Sequence, residues 1–208
     1  MTRDQKSLGL FIVLAMLQSA STSNGQSMDF NDLPMGTLFG VAAGDAPADL
    51  VYSKNGIDMA VDSFFLGSFV GFFDAEIGGL YSTAFASPAL ELDNIAVVFS
   101  LGSLGFPVTA LSFDYVEFGG AVNLAVNGQQ VLELESFADL PLLIAPGVLG
   151  TVAGGSVALT GAISSLRIGG QELIIDNLVV IPEPVTAGLL LVGLGIIAAK
   201  RRLQRVMH

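Results

Sequence analysis

The chain has no cysteine and no tryptophan, and its single histidine, His208, is the last of 208 residues. Without cysteine there is no disulfide, no thiolate metal site, no cysteine nucleophile and no lipid-bearing cysteine behind an export signal. Without an internal histidine, a Ser-His-Asp triad has no base and a His-based zinc site has no ligand. Basic residues are scarce as well: eight Lys and Arg stand against nineteen Asp and Glu, for a net charge of −11. Charged residues make up only 13% of the chain, about half the usual share.

The charges that are present are segregated. Arg3 and Lys6 lie at the front, Lys200, Arg201, Arg202 and Arg205 at the back, and only Lys54 and Arg167 between. All acidic residues except Asp4 and Glu183 fall from Asp29 to Asp176, so the middle holds seventeen negative and two positive charges, a net of −15. Such a surface repels nucleic acid, whose binding depends on Lys and Arg neutralising phosphates. Acidity of this kind serves solubility first.

Both ends read as membrane-directed. At the front, Arg3 and Lys6 precede an apolar stretch, Leu8 to Leu17, and then the small residues Ser19, Ala20, Ser21, Ser23 and Gly25. That stretch matches the core of a signal peptide and is too short to span a bilayer, which predicts an export signal over 1–26. At the back, Val185 to Ala199 carries no charge. A helix over that run covers about 22 Å, against a hydrocarbon core of about 30 Å. Lys200 and Arg201 can recover part of the shortfall by snorkelling. The basic clusters at both extremes favour the cytoplasmic side, so the acidic middle is expected on the far side. Before the apolar run stands Pro182-Glu183-Pro184. Pro182 cannot donate to a sheet ladder, two prolines hold Glu183 extended, and a carboxylate suits the start of a helix. The expectation is a stiff, exposed, negative handle.

This ordered tail, Pro182-Glu183-Pro184, then Val185–Ala199, then Lys200, Arg201, Arg202 and Arg205, resembles the PEP-CTERM sorting signal. The resemblance implies processing by an exosortase-type membrane protease at or near the motif over 182–208. Before that step the inner membrane holds the chain, with signal peptidase as the other processing partner; afterwards the product goes to the cell surface or the extracellular matrix.

Between Ser27 and Ile181 strand signals recur, broken by Gly, Asn and Pro. The clearest runs from Ala121 to Phe137. Val122, Leu124 and Val126 alternate with Asn123 and Ala125; Asn127-Gly128 supplies the residues of a type I′ turn; Leu132 and Leu134 return. This predicts a hairpin with one buried and one wet face. Gly154-Gly155 and Gly169-Gly170 are expected to turn the chain elsewhere. The reading for 27–181 is one all-β domain, an antiparallel two-sheet sandwich of jelly-roll type, with most of the fourteen phenylalanines in its core. The Gly-Gly-x-x-Asn-Leu strand at Gly119–Leu124 and the late stretch Ile168–Asn177 resemble extracellular jelly-roll domains found upstream of such tails.

No enzymatic site is evident. Asp114 and Glu117 sit at odd spacing, on opposite faces of a strand, where a glycosidase needs two carboxylates across a cleft. Asp74 and Glu76 share a face and read as solvent carboxylates. Oxygen donors suited to calcium occur at Asp29, Asn31 and Asp32, at Glu91, Asp93 and Asn94, and at Asp176 and Asn177. If the first and last strands are neighbours, Asp29 and Asp176 would meet at one calcium site. Glycan binding favours aromatic faces, and beyond phenylalanine only Tyr52, Tyr81 and Tyr115 are available. The expectation is an exported, non-enzymatic structural or adhesive protein. The alternatives are a carbohydrate-binding module acting on extracellular polysaccharide and, further off, a glycan hydrolase.

Overall fold

Two long strands carry the body. The structure, a computed structural model, describes residues 25–78, 85 and 87–183, and Gly25–Pro182 is one compact unit. In chain order the strands are β1 (Gln26–Met28), β2 (Leu38–Gly40), β3 (Leu50–Lys54), β4 (Ile57–Leu66), β5 (Phe69–Gly71), β6 (Asp74–Ile77) and β7 (Leu90–Asp93). They continue with β8 (Ile95–Ser100), β9 (Val108–Val126), β10 (Leu132–Leu134), β11 (Leu143–Ala145), β12 (Val148–Ala153), β13 (Ser156–Ile163) and β14 (Ser165–Pro182). The fold is all-β and its pairings are antiparallel.

β9 and β14 pair along nearly their whole length, from Leu166 opposite Val126 to Pro182 opposite Val108. The ladder shifts register beside Gly170 and Glu172. On β9 the same level holds Gly119 and Gly120, at φ 150° and 71°. A Cβ on Gly120 would lie 2.6 Å from Cβ of Gln171, so only glycine lets the backbones meet there. This bend divides the sheet into two halves. In one, β14 runs between β9 and β8, with β10 beyond β9 and β4 and β3 beyond β8. In the other, β14 runs between β9 and first β7, then β1. Strands β13, β12 and β11 extend that half past β9, and β6 and β2 extend it past β7.

The inward side chains of both halves form one apolar core, in which Val97, Phe99, Leu124 and Ile168 from one half join Leu111, Phe113, Leu159 and Ile175 from the other. Among the described residues six phenylalanines are buried, at 30, 39, 64, 99, 113 and 137. This is fewer than the composition suggested, because Phe69, Phe73 and Phe118 are exposed and others lie half-buried at the margins.

Several local expectations hold. Asn127 and Gly128 turn with φ 57° and 66°, the amide of Gln129 donates to the carbonyl of Val126, and Leu132 returns opposite Leu124. Gly154 and Gly155 turn β12 into β13. Two expectations fail. Gly169-Gly170 makes no turn; it lies inside β14, where Gly169 lets the side chains of Ala96 and Phe64 come close. The outer face of the Val122–Val126 stretch is not wet either, since Asn123 and Ala125 are both buried. The cause is β4, which leaves β8 after Ser63 and pairs with β5 instead. That hairpin covers the outer face, and Asn123 holds it: its Oδ1 accepts from the Phe65 N–H and its Nδ2 donates to the Phe65 carbonyl, each at 2.8 Å. Arg167 completes the lock, donating from Nε to Asp62 at 3.1 Å and from a guanidinium N–H to the Ser63 carbonyl. Its guanidinium lies 4.8 Å from the centre of the Phe65 ring.

Candidate functional site

The two ends of the compact unit leave it side by side. β1 pairs antiparallel with the end of β14, Gln26 opposite Val180 and Met28 opposite Leu178. A Cβ on Gly25 would lie 2.7 Å from the Val180 carbonyl oxygen, so the incoming chain lies directly on the outgoing strand. Pro182 is buried and is the last residue of β14, opposite Val108. Glu183 is exposed. Of the three-residue handle expected from sequence, then, the first residue belongs to the sheet and the second is free of it. Pro184, the apolar run Val185–Ala199, the basic residues Lys200, Arg201, Arg202 and Arg205, and the leader before Gly25 lie outside the described residues. Among the described residues no helix is long and apolar enough to cross a membrane.

An acidic corner lies next to this exit. The turn after β1 carries Asp29 and Asp32, and the end of β3 carries Tyr52 and Lys54. Lys54 Nζ contacts the Asp29 carboxylate, donates to the Asp29 carbonyl at 3.1 Å and reaches Asp32 at 2.6 Å. The Tyr52 hydroxyl donates to Asp32 at 2.7 Å, and Asn55 donates to the Ser27 carbonyl at 2.7 Å. The ammonium holds the Asp29 carboxyl below its usual range, and it does the same for Asp32 with help from the Tyr52 hydroxyl. Burial, then the Asp32 carboxylate, pushes the Tyr52 phenol up to about 12. Burial opposes the charge on Lys54, but the two carboxylates outweigh it and raise its pKa.

Asp176, the other half of the expected calcium pair, lies nearby in β14. It is buried, accepts from the Ser87 hydroxyl at 2.8 Å and from the Asn177 N–H at 2.7 Å. Burial first, and the charges of Asp29 and Asp114, raise its pKa, while the two hydrogen bonds pull it back. Asp29 and Asp176 are therefore close enough to feel each other's charge. Their oxygens are not arranged as a cation cradle: Lys54 occupies Asp29, and Ser87 and Asn177 occupy Asp176. Among the described residues no three His, Cys, Asp or Glu side chains gather as metal ligands. Calcium wants six to eight oxygens, and here both carboxylates are engaged by groups of the protein itself.

Several other carboxylates have structural partners. Glu117 accepts from the Ser136 hydroxyl and the Phe137 N–H, both at 2.7 Å. It thereby fixes the 3₁₀ turn Phe137–Asp139, whose Phe137 ring packs edge-on against Tyr115 at 4.9 Å and Phe113 at 5.6 Å. Asp114 points to the opposite face, where it accepts from Asn177 Nδ2 at 3.0 Å. Asp74 and Glu76 do share a face, with Asp93 and Glu91 directly opposite them on β7. Asp74 accepts from the Ala42 N–H at 2.7 Å, and Asp93 from Asn94 Nδ2 at 2.6 Å. The result is a ladder of four carboxylates, Asp93 exposed and the other three half-buried. Tyr52 and Tyr115 are half-buried and packed on Phe30 and Phe137. Tyr81 lies outside the described residues. The exposed aromatic rings, Phe69, Phe73 and Phe118, sit on the β5 hairpin, the segment after it and the bend of β9.

The sequence did not reveal the uncharged rim beside the chain exit. The register sets Leu143, Leu149, Thr160, Ala110 and Ile181 in one row across five strands. Thr151, Ala158, Ser112, Val179 and Ser27 form the next row. No polar–apolar alternation in the sequence marks these positions, and the alignment of the strands that brings them together is long-range. No family model matches this chain, and no curated protein matches it.

Proposed function

We propose that this is an exported cell-envelope or matrix protein, sorted through its C-terminal segment, in which the all-β body is a two-sheet sandwich of jelly-roll type with a structural or adhesive role and no catalytic one. The export signal carries the chain across the inner membrane, the apolar run Val185–Ala199 holds it there, and an exosortase-type protease acts near Pro182-Glu183-Pro184. The observation that carries this reading is the position of the chain ends. β1 and the end of β14 are paired neighbours, so the chain before Gly25 and the chain after Pro182 both leave the body at one pole. The ordered tail in the sequence supports the same reading, as does a body with a net charge of −15 from Asp29 to Asp176. Asp29, Asp32, Asp74, Asp114, Glu117 and Asp176 serve as ion-pair partners and hydrogen-bond acceptors, which supports a structural role over hydrolysis.

The test is a variant combining Glu183→Ala with deletion of Arg201, Arg202 and Arg205, expressed in the native host. The expected outcome is full-length protein retained in the inner membrane. Normal processing and release of that variant would overturn the sorting assignment.

A further inference from the structure

We infer that the uncharged rim beside the chain exit is a lipid-contact face, which lies on the bilayer surface while the C-terminal segment holds the chain; this rests on the membrane-held reading above. The rim is apolar at both ends. Leu143 and Leu149, directly paired on β11 and β12, are 62% and 44% exposed, and Ile181 on β14 is 48% exposed. Hydroxyl and methyl side chains fill the rows between them. Strands lie about 4.8 Å apart, so the five-strand row is about 19 Å wide. Neither row contains a charge, on a body with seventeen carboxylates from Asp29 to Asp176. The rim therefore brings neither charged groups to be desolvated nor negative charge to be repelled by anionic headgroups.

Chain length fixes what this rim meets. Only Pro182, Glu183 and Pro184 separate Ile181 from Val185, where fifteen uncharged residues begin. Four Cα steps span at most about 14 Å. With Val185 at the edge of the hydrocarbon, Ile181 stays within that distance of it, and the headgroup region itself takes up about 5–7 Å of it. The Ile181 end of the rim is therefore tethered within about 10 Å of the headgroups. A second copy of the chain suits the rim less well: two rows across five strands offer about 300 Å², against about 800 Å² per partner in a stable complex. A tethered face can act with far less area, because the tether sets a high effective concentration.

The chain has no tryptophan, so single introduced tryptophans report position without background. Full-length protein carrying Leu143→Trp, Leu149→Trp or Val70→Trp is reconstituted into phosphatidylcholine vesicles with and without brominated acyl chains. Val70 is 59% exposed on β5, in the other half of the sheet. All three positions face solvent, and an unchanged urea midpoint verifies that each variant folds. The expected result is flotation of all three, with quenching at positions 143 and 149 several-fold above that at 70. Flotation with equal, low quenching at all three positions overturns the lipid-contact face and leaves the sorting assignment standing. Failure of the full chain to float overturns both. Low quenching together with cross-linking between copies through position 143 assigns the rim to a second copy and overturns the inference.

Discussion

The side-chain amide of Asn123 pairs with the backbone of Phe65 on both sides, accepting from its N–H and donating to its carbonyl at 2.8 Å each, across 58 residues of sequence. It does for the β4–β5 hairpin what a neighbouring strand would do, and it is buried while doing so. Asn123→Ala leaves both backbone groups of Phe65 without their partner, at a cost of about 1–3 kcal/mol for a buried polar group left unsatisfied. The expected outcome is a urea midpoint lowered by that amount and faster hydrogen exchange at the Phe65 amide. An unchanged midpoint would mean that the hairpin is held by other contacts.

Lys54 ties the turn after β1 to β3 through Asp29 and Asp32. Both carboxyls titrate below their usual 3.8 in the folded protein. Their contribution to stability is therefore present above about pH 4 and lost as the pH falls through the lowered folded values. Lys54→Met removes that contribution. The variant is expected to be less stable than the parent at pH 7, and the gap is expected to close below pH 4, as read by urea unfolding at each pH. A gap independent of pH would show that Lys54 acts through packing alone.

Asp176 has the opposite sign. Burial raises its folded pKa above 3.8, so its ionised form weakens the fold at neutral pH, and that penalty fades as the pH falls through the raised value toward 3.8. Asp176→Asn is expected to gain stability relative to the parent on going from pH 3.5 to pH 7, whatever the fixed cost of altering its bonds with Ser87 and Asn177. A difference that shifts the other way would contradict the burial argument.

On the β6–β7 face Glu76 stands directly opposite Glu91, and Asp74 opposite Asp93. Like charges in directly opposed cross-strand positions destabilise a sheet. Glu76→Lys makes an opposite-charge pair with Glu91 and is expected to stabilise the fold by about 0.2–1 kcal/mol, less in high salt. A loss of stability at low salt would show that the ladder has a compensation this pairing does not supply.

The legible and illegible parts of this molecule divide by range. The Asn127-Gly128 turn was readable because two adjacent residues with positive φ have a local signature. Asn123 was misread as a solvent-face residue, because the element that buries it lies 58 residues earlier. Gly119-Gly120 and Gly169-Gly170 look alike in sequence, yet one pair bends a strand and the other admits neighbouring side chains; what distinguishes them is contact across the sheet. For the calcium expectation, Asp29 and Asp176 are indeed near one another. Lys54, one of two basic residues in a strongly acidic middle, takes Asp29, while Ser87 and Asn177 take Asp176.

The central claim is that the acidic body is delivered to the far side of the inner membrane and held there from one pole. Protease added to intact spheroplasts of the native host, followed by mass analysis of what survives, tests it most directly. The account predicts that the body is accessible from outside, that the mature chain lacks the apolar stretch Leu8 to Leu17, and that any surviving membrane fragment carries Lys200, Arg201 and Arg202. Recovery of the uncut 208-residue chain from the cytosol, protected from the protease, would contradict it.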